Sequence, residues 1–208
     1  MRRNAMREND LGATSDRLAE TLAGIDAANA ADPNEEKLDG AVRPAALVYS
    51  ERMTGWLERI EPAASELLAI AVRAQHIERW TSPRSDYPMT REGYLRWRSE
   101  LAQFHAKRAG EIMAKSGYDE VAIKRVGQLI TKRRLKRDAE AQTLEDVACL
   151  VFLENYFADF ARQHEEAKII DILRKSWAKM SEQGRDTART LRMPPRAQAL
   201  LERALADG

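Results

Sequence analysis

One stretch of the sequence, LEDVACLVFLENYFADFARQH at residues 144–164, limits the possible folds more than any other. It is apolar on nearly all sides of a helix from Val147 to Phe160, and such a helix is stable only when other elements cover it. We therefore predict a helical bundle with a helix of about residues 144–162 at its centre and with Leu150 and Leu153 buried. Thr143 is predicted to cap this helix.

The other apolar residues also recur at steps of three and four, which is the period of a helix. Runs that alternate with a period of two are absent, so we expect no sheet of more than two short strands. We predict an all-α fold with at least seven helices. Besides the central one, they are expected at residues 15–30, 45–60, 65–80, 91–117, 119–136 and 167–180 and after Pro195, with loops at 31–44 and 81–90.

The chain divides into three predicted parts. Residues 1–15 are polar and lack an apolar period, so they are expected to form a disordered arm. Residues 16–193 are predicted to be one helical domain, and residues 194–208 a short helix or tail. The length of 208 residues is enough for one well-packed domain or two small ones.

Composition restricts the compartment and the partners. Lysine and arginine (34) nearly balance aspartate and glutamate (33), and the net charge is +1, whereas surfaces shaped for nucleic acid or anionic membranes usually carry a larger excess. The single cysteine, Cys149, fits a reducing cytosol. No run approaches the roughly 18 apolar residues of a membrane span. We expect a cytoplasmic protein without membrane contacts.

Three residues indicate a metal site. His76, in RAQHIERW, and His105 each border an apolar helical stripe, and Asp146 lies on the stripe of Leu150 and Leu153. Histidine and carboxylate ligands inside a bundle suit one divalent ion such as Mn, Fe, Zn or Mg. Each residue also has a structural explanation, because His76 could be an ordinary histidine at the edge of the core and Asp146 could belong to a capping box that begins at Thr143.

Basic residues form a second group of candidates. The segment KRVGQLITKRRLKRD carries Lys132, Arg133 and Arg134 without an intervening acid. It is either a solvated helix end or an edge that binds the phosphate of a nucleotide or, more weakly supported, of RNA. Arg79 and Arg84, near the proline-containing loop, are expected to add to such an edge.

The order of these motifs resembles the HD-domain phosphohydrolases. ELLAIAVRAQHIERW resembles their helix that ends in a His-Asp pair, and DAEAQTLEDVACLVFLENYF resembles their later helix with the last metal aspartate. In this comparison Tyr49 stands for the first histidine and Ile77 for the aspartate after His76. His105 occupies an auxiliary histidine position, and Thr131 or Lys132 occupies another.

A closer resemblance covers residues 17–190. RAQHIERW, SPRSDYPMTREGYLRW, LEDVACLVFLENYF and KSWAKMSEQG are similar to an uncharacterised family known as domain of unknown function 4202. Members of that family have no established activity, so the resemblance does not indicate one for this chain.

Two functions follow. In the first, the chain is a metal-dependent phosphohydrolase with an eroded HD-type site, acting on a nucleotide or another phosphate ester. His76, His105 and Asp146 would hold the metal, while Glu78 and Lys132 would assist catalysis. Glu78 could replace the missing carboxylate only if the helix unwinds there. In the second, the chain is a non-catalytic HD-like module that binds a phosphorylated ligand or RNA. The sequence leaves the oligomeric state open, with a homodimer as one option.

Overall fold

A computed structural model describes residues 2–38 and 40–206, and for residues 2–15 it describes the backbone alone. The predicted all-helical class is confirmed, since the described residues form ten α-helices and one sheet of two short strands. The helices are α1 (Arg2–Asn29), α2 (Ala45–Ile60), α3 (Glu66–Arg73), α4 (Arg91–Lys115), α5 (Glu120–Ile130), α6 (Ala139–Val151), α7 (Phe157–Arg162), α8 (Glu166–Trp177), α9 (Glu182–Arg189) and α10 (Pro195–Ala206).

The chain folds as two compact units. The first contains the residues up to Gly55 together with Ala63–Arg133, and the second contains Trp56–Pro62 and the residues from Arg134 onward. In the first unit, α5 packs on α3 and α4, and α1 also contacts α3 and α4. In the second, α10 packs on α7 and α8, and α9 packs on α6.

Side-chain caps explain where several helices begin. Ser65 caps α3, Thr90 caps α4 and Asp119 caps α5, each accepting a hydrogen bond from a backbone N–H of the first turn. Gly117, with a φ of 82°, follows the end of α4 in the left-handed conformation that glycine adopts most easily. The chain therefore leaves α4 close to the end of the helix predicted at residues 91–117.

The predicted central helix is present but not continuous. Its residues form α6, a π-helical turn at Phe152–Tyr156, and α7. Leu150 and Leu153 are 0% and 4% exposed, as the apolar girth predicts. The predicted cap at Thr143 is wrong, because α6 begins one turn earlier, where the Asp138 side chain accepts from the Ala141 amide.

The predicted loop at residues 31–44 contains a hairpin. Strands β1 (Glu35–Leu38) and β2 (Ala41–Pro44) pair antiparallel, with Glu35 opposite Pro44. Strand β1 is mostly charged and the valine of β2, Val42, is exposed, so the two strands lack the apolar alternation that identifies a strand in a sequence.

Three further predictions concern membrane spans and the two ends of the chain. Within residues 2–38 and 40–206, none of the helices is long and apolar enough to span a membrane. The arm at residues 1–15 stays a prediction, because residue 1 lies outside the described residues and α1 is described by its backbone alone up to residue 15. The C-terminal helix expected after Pro195 is α10.

Candidate functional site

The segment RAQHIERW is polar because it leaves the helix. Helix α3 ends at Arg73, and irregular turns follow up to a short 3₁₀ turn at Arg79–Thr81. Ile77 is fully buried, whereas Glu78 adopts the left-handed conformation, with a φ of 50°. The Asn29 side chain accepts a hydrogen bond from the Glu78 amide at 3.1 Å. The helix therefore does unwind before Glu78, and the polar residues of this segment are placed by turns.

The half-buried ring of His76 stacks on one aromatic ring and lies near a second imidazole. The Tyr49 ring lies parallel to it, with centroids 4.6 Å apart and an interplanar angle of 20°. The His105 ring lies 5.8 Å from it, between centroids. The structure therefore brings together two of the three residues predicted to hold a metal. His76 lies in the turn after α3, and His105 lies on α4.

Three positive charges lie near His76, and one of them, that of Arg79, also acts on His105. Burial lowers the pKa of His76 well below its usual value, and the nearby charges of Arg79, Lys132 and Arg98 lower it further. Burial also lowers the pKa of Arg79, and the charge of Arg98 adds to that shift. We call the cluster of Tyr49, His76, Arg79, Arg98, His105 and Lys132 the His76 site.

His105 is almost completely buried and has one defined hydrogen bond. It is 2% exposed, and its Nδ1 lies 2.7 Å from the carbonyl oxygen of Ile77. Burial lowers its pKa to about 4, and the charge of Arg79 contributes to the decrease. The other ring nitrogen, Nε2, is buried and has no hydrogen-bond partner among the described residues.

Two of the cations at the His76 site are held by aromatic rings. The Arg79 guanidinium lies 4.8 Å from the centroid of Trp97, and that of Arg98 lies 5.9 Å from the centroid of Tyr94. In the part of the chain that the structure describes, neither arginine pairs with a carboxylate. Unpaired cations of this kind are attracted to an anion.

Lys132 contributes to the site from a strained position. It follows the end of α5 with a φ of 52°, in a region that residues other than glycine, asparagine and aspartate seldom adopt. Its amide donates to the Leu129 carbonyl at 2.9 Å, which fixes this turn. Strained backbone of this kind concentrates at functional sites.

The remaining residues predicted to act on a ligand have partners or lie in solvent. The Glu78 carboxylate accepts from Arg108 Nε at 2.7 Å. Arg84 donates to the carbonyls of Tyr87 and Pro88 at 2.9 and 2.7 Å, so its charge secures the proline-containing loop. Arg133 and Arg134 are exposed.

Asp146 belongs to the second unit and bonds there to its own surroundings. Ser181, the N-cap of α9, donates to it from both its amide (2.9 Å) and its hydroxyl (2.5 Å), and Gln142 donates at 3.1 Å. Burial raises the pKa of Asp146, and the bonds from Ser181 oppose that shift. A Cβ at Gly184 would lie 2.6 Å from Asp146 Cγ, so this glycine permits the close approach. Asp146 therefore has a structural role in positioning α9.

The residues of the His76 site determine which ligands it could bind. Among the side chains that the structure describes, in residues 16–38 and 40–206, no group of three or more histidine, cysteine, aspartate or glutamate side chains could hold a metal ion. Neutral imidazoles surrounded by guanidinium and ammonium groups suit a ligand with negative charge and with hydrogen-bonding oxygens.

The sequence interpretation missed Arg98 and the stacking role of Tyr49. Arg98 lies seven residues before His105 on α4, a spacing of two turns that places both on one face. That spacing is a signal that could have identified Arg98. The contact between Tyr49 and His76 joins separate elements, and no local pattern predicts it.

Comparisons with known proteins give one match. No curated protein and no solved structure matches the chain. A family model described as "Domain of unknown function (DUF4202)" matches residues 19–201, which include every residue of the His76 site. The chain belongs to this family of domains of unknown function, DUF4202.

Proposed function

We propose that the chain is a non-catalytic module that binds a small phosphorylated ligand at the His76 site. The observation that carries this proposal is the group of three cations around two neutral histidines, of which Arg79 and Arg98 pair with no carboxylate within the described residues. Arg98 is exposed, but Arg79 is half-buried, and burying a cation without a counter-charge destabilises a protein. A phosphate would supply that counter-charge.

The geometry suits phosphate for a second reason. Arginine donates in a planar fork that matches two phosphate oxygens, and lysine adds a point charge. Arg79 is oriented by Trp97, and Lys132 is held by its turn. Groups that are already positioned lose little entropy when a ligand binds. The left-handed backbone of Lys132 is also consistent with selection for function at some cost in stability.

Replacing Lys132 tests this proposal. Lys132→Asn removes the charge but keeps a residue that tolerates the left-handed conformation. We expect it to weaken binding of inorganic phosphate and of adenosine monophosphate about tenfold, as the loss of one charge-assisted bond would. Isothermal titration calorimetry at fixed ionic strength measures both affinities.

The matched control is Lys115→Gln. Lys115 is exposed on α4, roughly 15 Å along the helix from His105, and its replacement should leave both affinities unchanged. The proposal fails if neither ligand binds the wild-type protein, or if the two variants weaken binding equally.

A second candidate is the metal-dependent phosphohydrolase. His105 supports it, because a metal-binding histidine commonly donates its other ring N–H to a backbone carbonyl, as Nδ1 can to Ile77. His76 and His105 would hold one ion of Mn, Fe, Zn or Mg. The cations around His76 oppose such an ion, and Glu78 and Asp146 bond to other residues. If hydrolysis is the function, adding Mn²⁺ to the calorimetry samples should release phosphate from adenosine monophosphate.

Further features of the chain remain proposals. An HD-like core is supported by Tyr49 and His76, which stack at positions that correspond to two ligand positions of the HD domain. A cytoplasmic location is supported by the single cysteine. RNA binding would use the exposed Arg133 and Arg134.

A further inference from the structure

The tautomer of His105 is fixed by its surroundings. A carbonyl oxygen can only accept a hydrogen bond, so the 2.7 Å contact with Ile77 requires that Nδ1 carries the hydrogen. The ring is neutral near pH 7, because burial lowers its pKa to about 4. A neutral imidazole protonated at Nδ1 has a lone pair at Nε2. His105 therefore presents a hydrogen-bond acceptor at Nε2.

That acceptor is buried and has no partner. Nε2 is inaccessible to solvent and has no hydrogen-bond partner among the side chains of residues 16–38 and 40–206 or the described backbone, although the residue as a whole is 2% exposed. Buried polar atoms without a partner are rare in native proteins, and they call for an explanation by function or by a bound molecule. The position of His105, with its ring 5.8 Å from that of His76 and near the charge of Arg79, places the acceptor at the His76 site.

The cations and the Nε2 acceptor favour different chemical groups, and one ligand must carry both. Arg79, Arg98 and Lys132 attract negative oxygens, whereas the Nε2 lone pair repels them and needs a donor. A fully ionised oxyanion such as sulfate has oxygen acceptors alone. A phosphate monoester near its second pKa of about 6 carries both negative oxygens and a P–OH donor. Inorganic phosphate, whose second pKa is higher, carries both at pH 6 as well.

We propose that His105 selects a protonated phosphate over a fully ionised oxyanion by accepting a hydrogen bond from the P–OH group at Nε2. This inference rests on the proposed phosphate-binding function and names the feature of the ligand that the site recognises. His105 is then a specificity-determining residue, and the cations supply affinity without selectivity.

The test compares inorganic phosphate with inorganic sulfate at pH 6 and constant ionic strength. Charge alone would favour sulfate, which is a dianion at this pH. We expect the wild-type protein to bind phosphate at least about tenfold more tightly, because sulfate leaves Nε2 unpaired. Isothermal titration calorimetry gives the ratio of the two dissociation constants.

Two variants of His105 isolate the role of the acceptor. In His105→Asn, the amide can still donate to the Ile77 carbonyl, but no atom replaces Nε2. The ratio of the dissociation constants for sulfate and phosphate should therefore fall to about one. In His105→Gln, the longer side chain can return an acceptor to the position of Nε2, and most of the preference should be kept. A residue with a purely structural role would change both affinities in parallel and leave their ratio unchanged.

Each outcome decides between the two proposals. Equal binding of phosphate and sulfate by the wild-type protein, or a preference for sulfate, overturns the role of His105 but leaves anion binding intact. Binding of neither anion overturns the proposed function itself. If His105→Asn does not fold, the ratio measured for the wild-type protein still decides the inference.

Discussion

Replacing Asp26 with alanine is expected to lower the free energy of unfolding by about 3 kcal/mol. Arg73 donates from Nε and Nη2 to the two carboxylate oxygens of Asp26, at 2.6 and 2.7 Å, and from Nη1 to Thr54 at 3.1 Å. The Arg73 side chain is 12% exposed, so the variant leaves a largely buried guanidinium without its counter-charge. Urea denaturation at pH 7 measures the change.

Two controls separate this effect from a general loss of charge. Asp171→Ala removes an exposed partner of Lys175 and should cost at most about 0.5 kcal/mol. The double variant Asp26→Ala/Arg73→Met removes both buried charges and should recover a large part of the loss. A cost for Asp26→Ala as small as that for Asp171→Ala would show that this pair does not secure α1 to α3.

Replacing Arg79 with methionine is expected to change stability and binding in opposite directions. Methionine keeps an unbranched apolar stem, but it removes the guanidinium that lies over Trp97, a cation that has no carboxylate partner within the described residues. We expect the free energy of unfolding to rise by about 1 kcal/mol, after the loss of the cation–π contact is subtracted. Phosphate binding should weaken by roughly 30-fold or more, because a charge-assisted bond is lost.

The opposite signs distinguish a ligand-binding residue from a structural one. Replacement of a residue that holds the fold together lowers stability, whereas replacement of a residue kept for function commonly raises it. Chemical denaturation without phosphate and calorimetry with phosphate provide the two values. A destabilised Arg79→Met protein with unchanged phosphate affinity would make Arg79 a structural residue.

Much of the fold was predictable because helical periodicity is local information. Apolar stripes identify α2, α4 and α8 from residues within each helix. The caps at Ser65 and Asp119 lie directly before the helices that they begin. The positions at which helices end were harder to predict. The end of α3 at Arg73 depends on distant partners, since Glu78 is held in its turn by Asn29 and Arg108.

The candidate site was predictable in part. His76 and His105 were identified because they border apolar stripes. Lys132 was identified in a basic segment and Arg79 near the proline-containing loop, and the structure brings all four together. The metal hypothesis assumed that Asp146 is costly to bury without a ligand. Ser181 and Gln142 provide hydrogen bonds from within the second unit, and no pattern around residue 146 indicates a partner 35 positions later.

The most direct test of the central claim uses the three histidines of the chain as internal probes. His76 and His105 belong to the His76 site, whereas His164 stacks on Phe160 in the second unit, with centroids 4.1 Å apart. Side-chain nitrogen NMR during a titration with inorganic phosphate reports on all three rings at once. We predict saturable shifts of the His76 and His105 resonances with one dissociation constant, and no shift of His164. Unchanged His76 and His105 resonances, or equal shifts of all three, would contradict phosphate binding at this site.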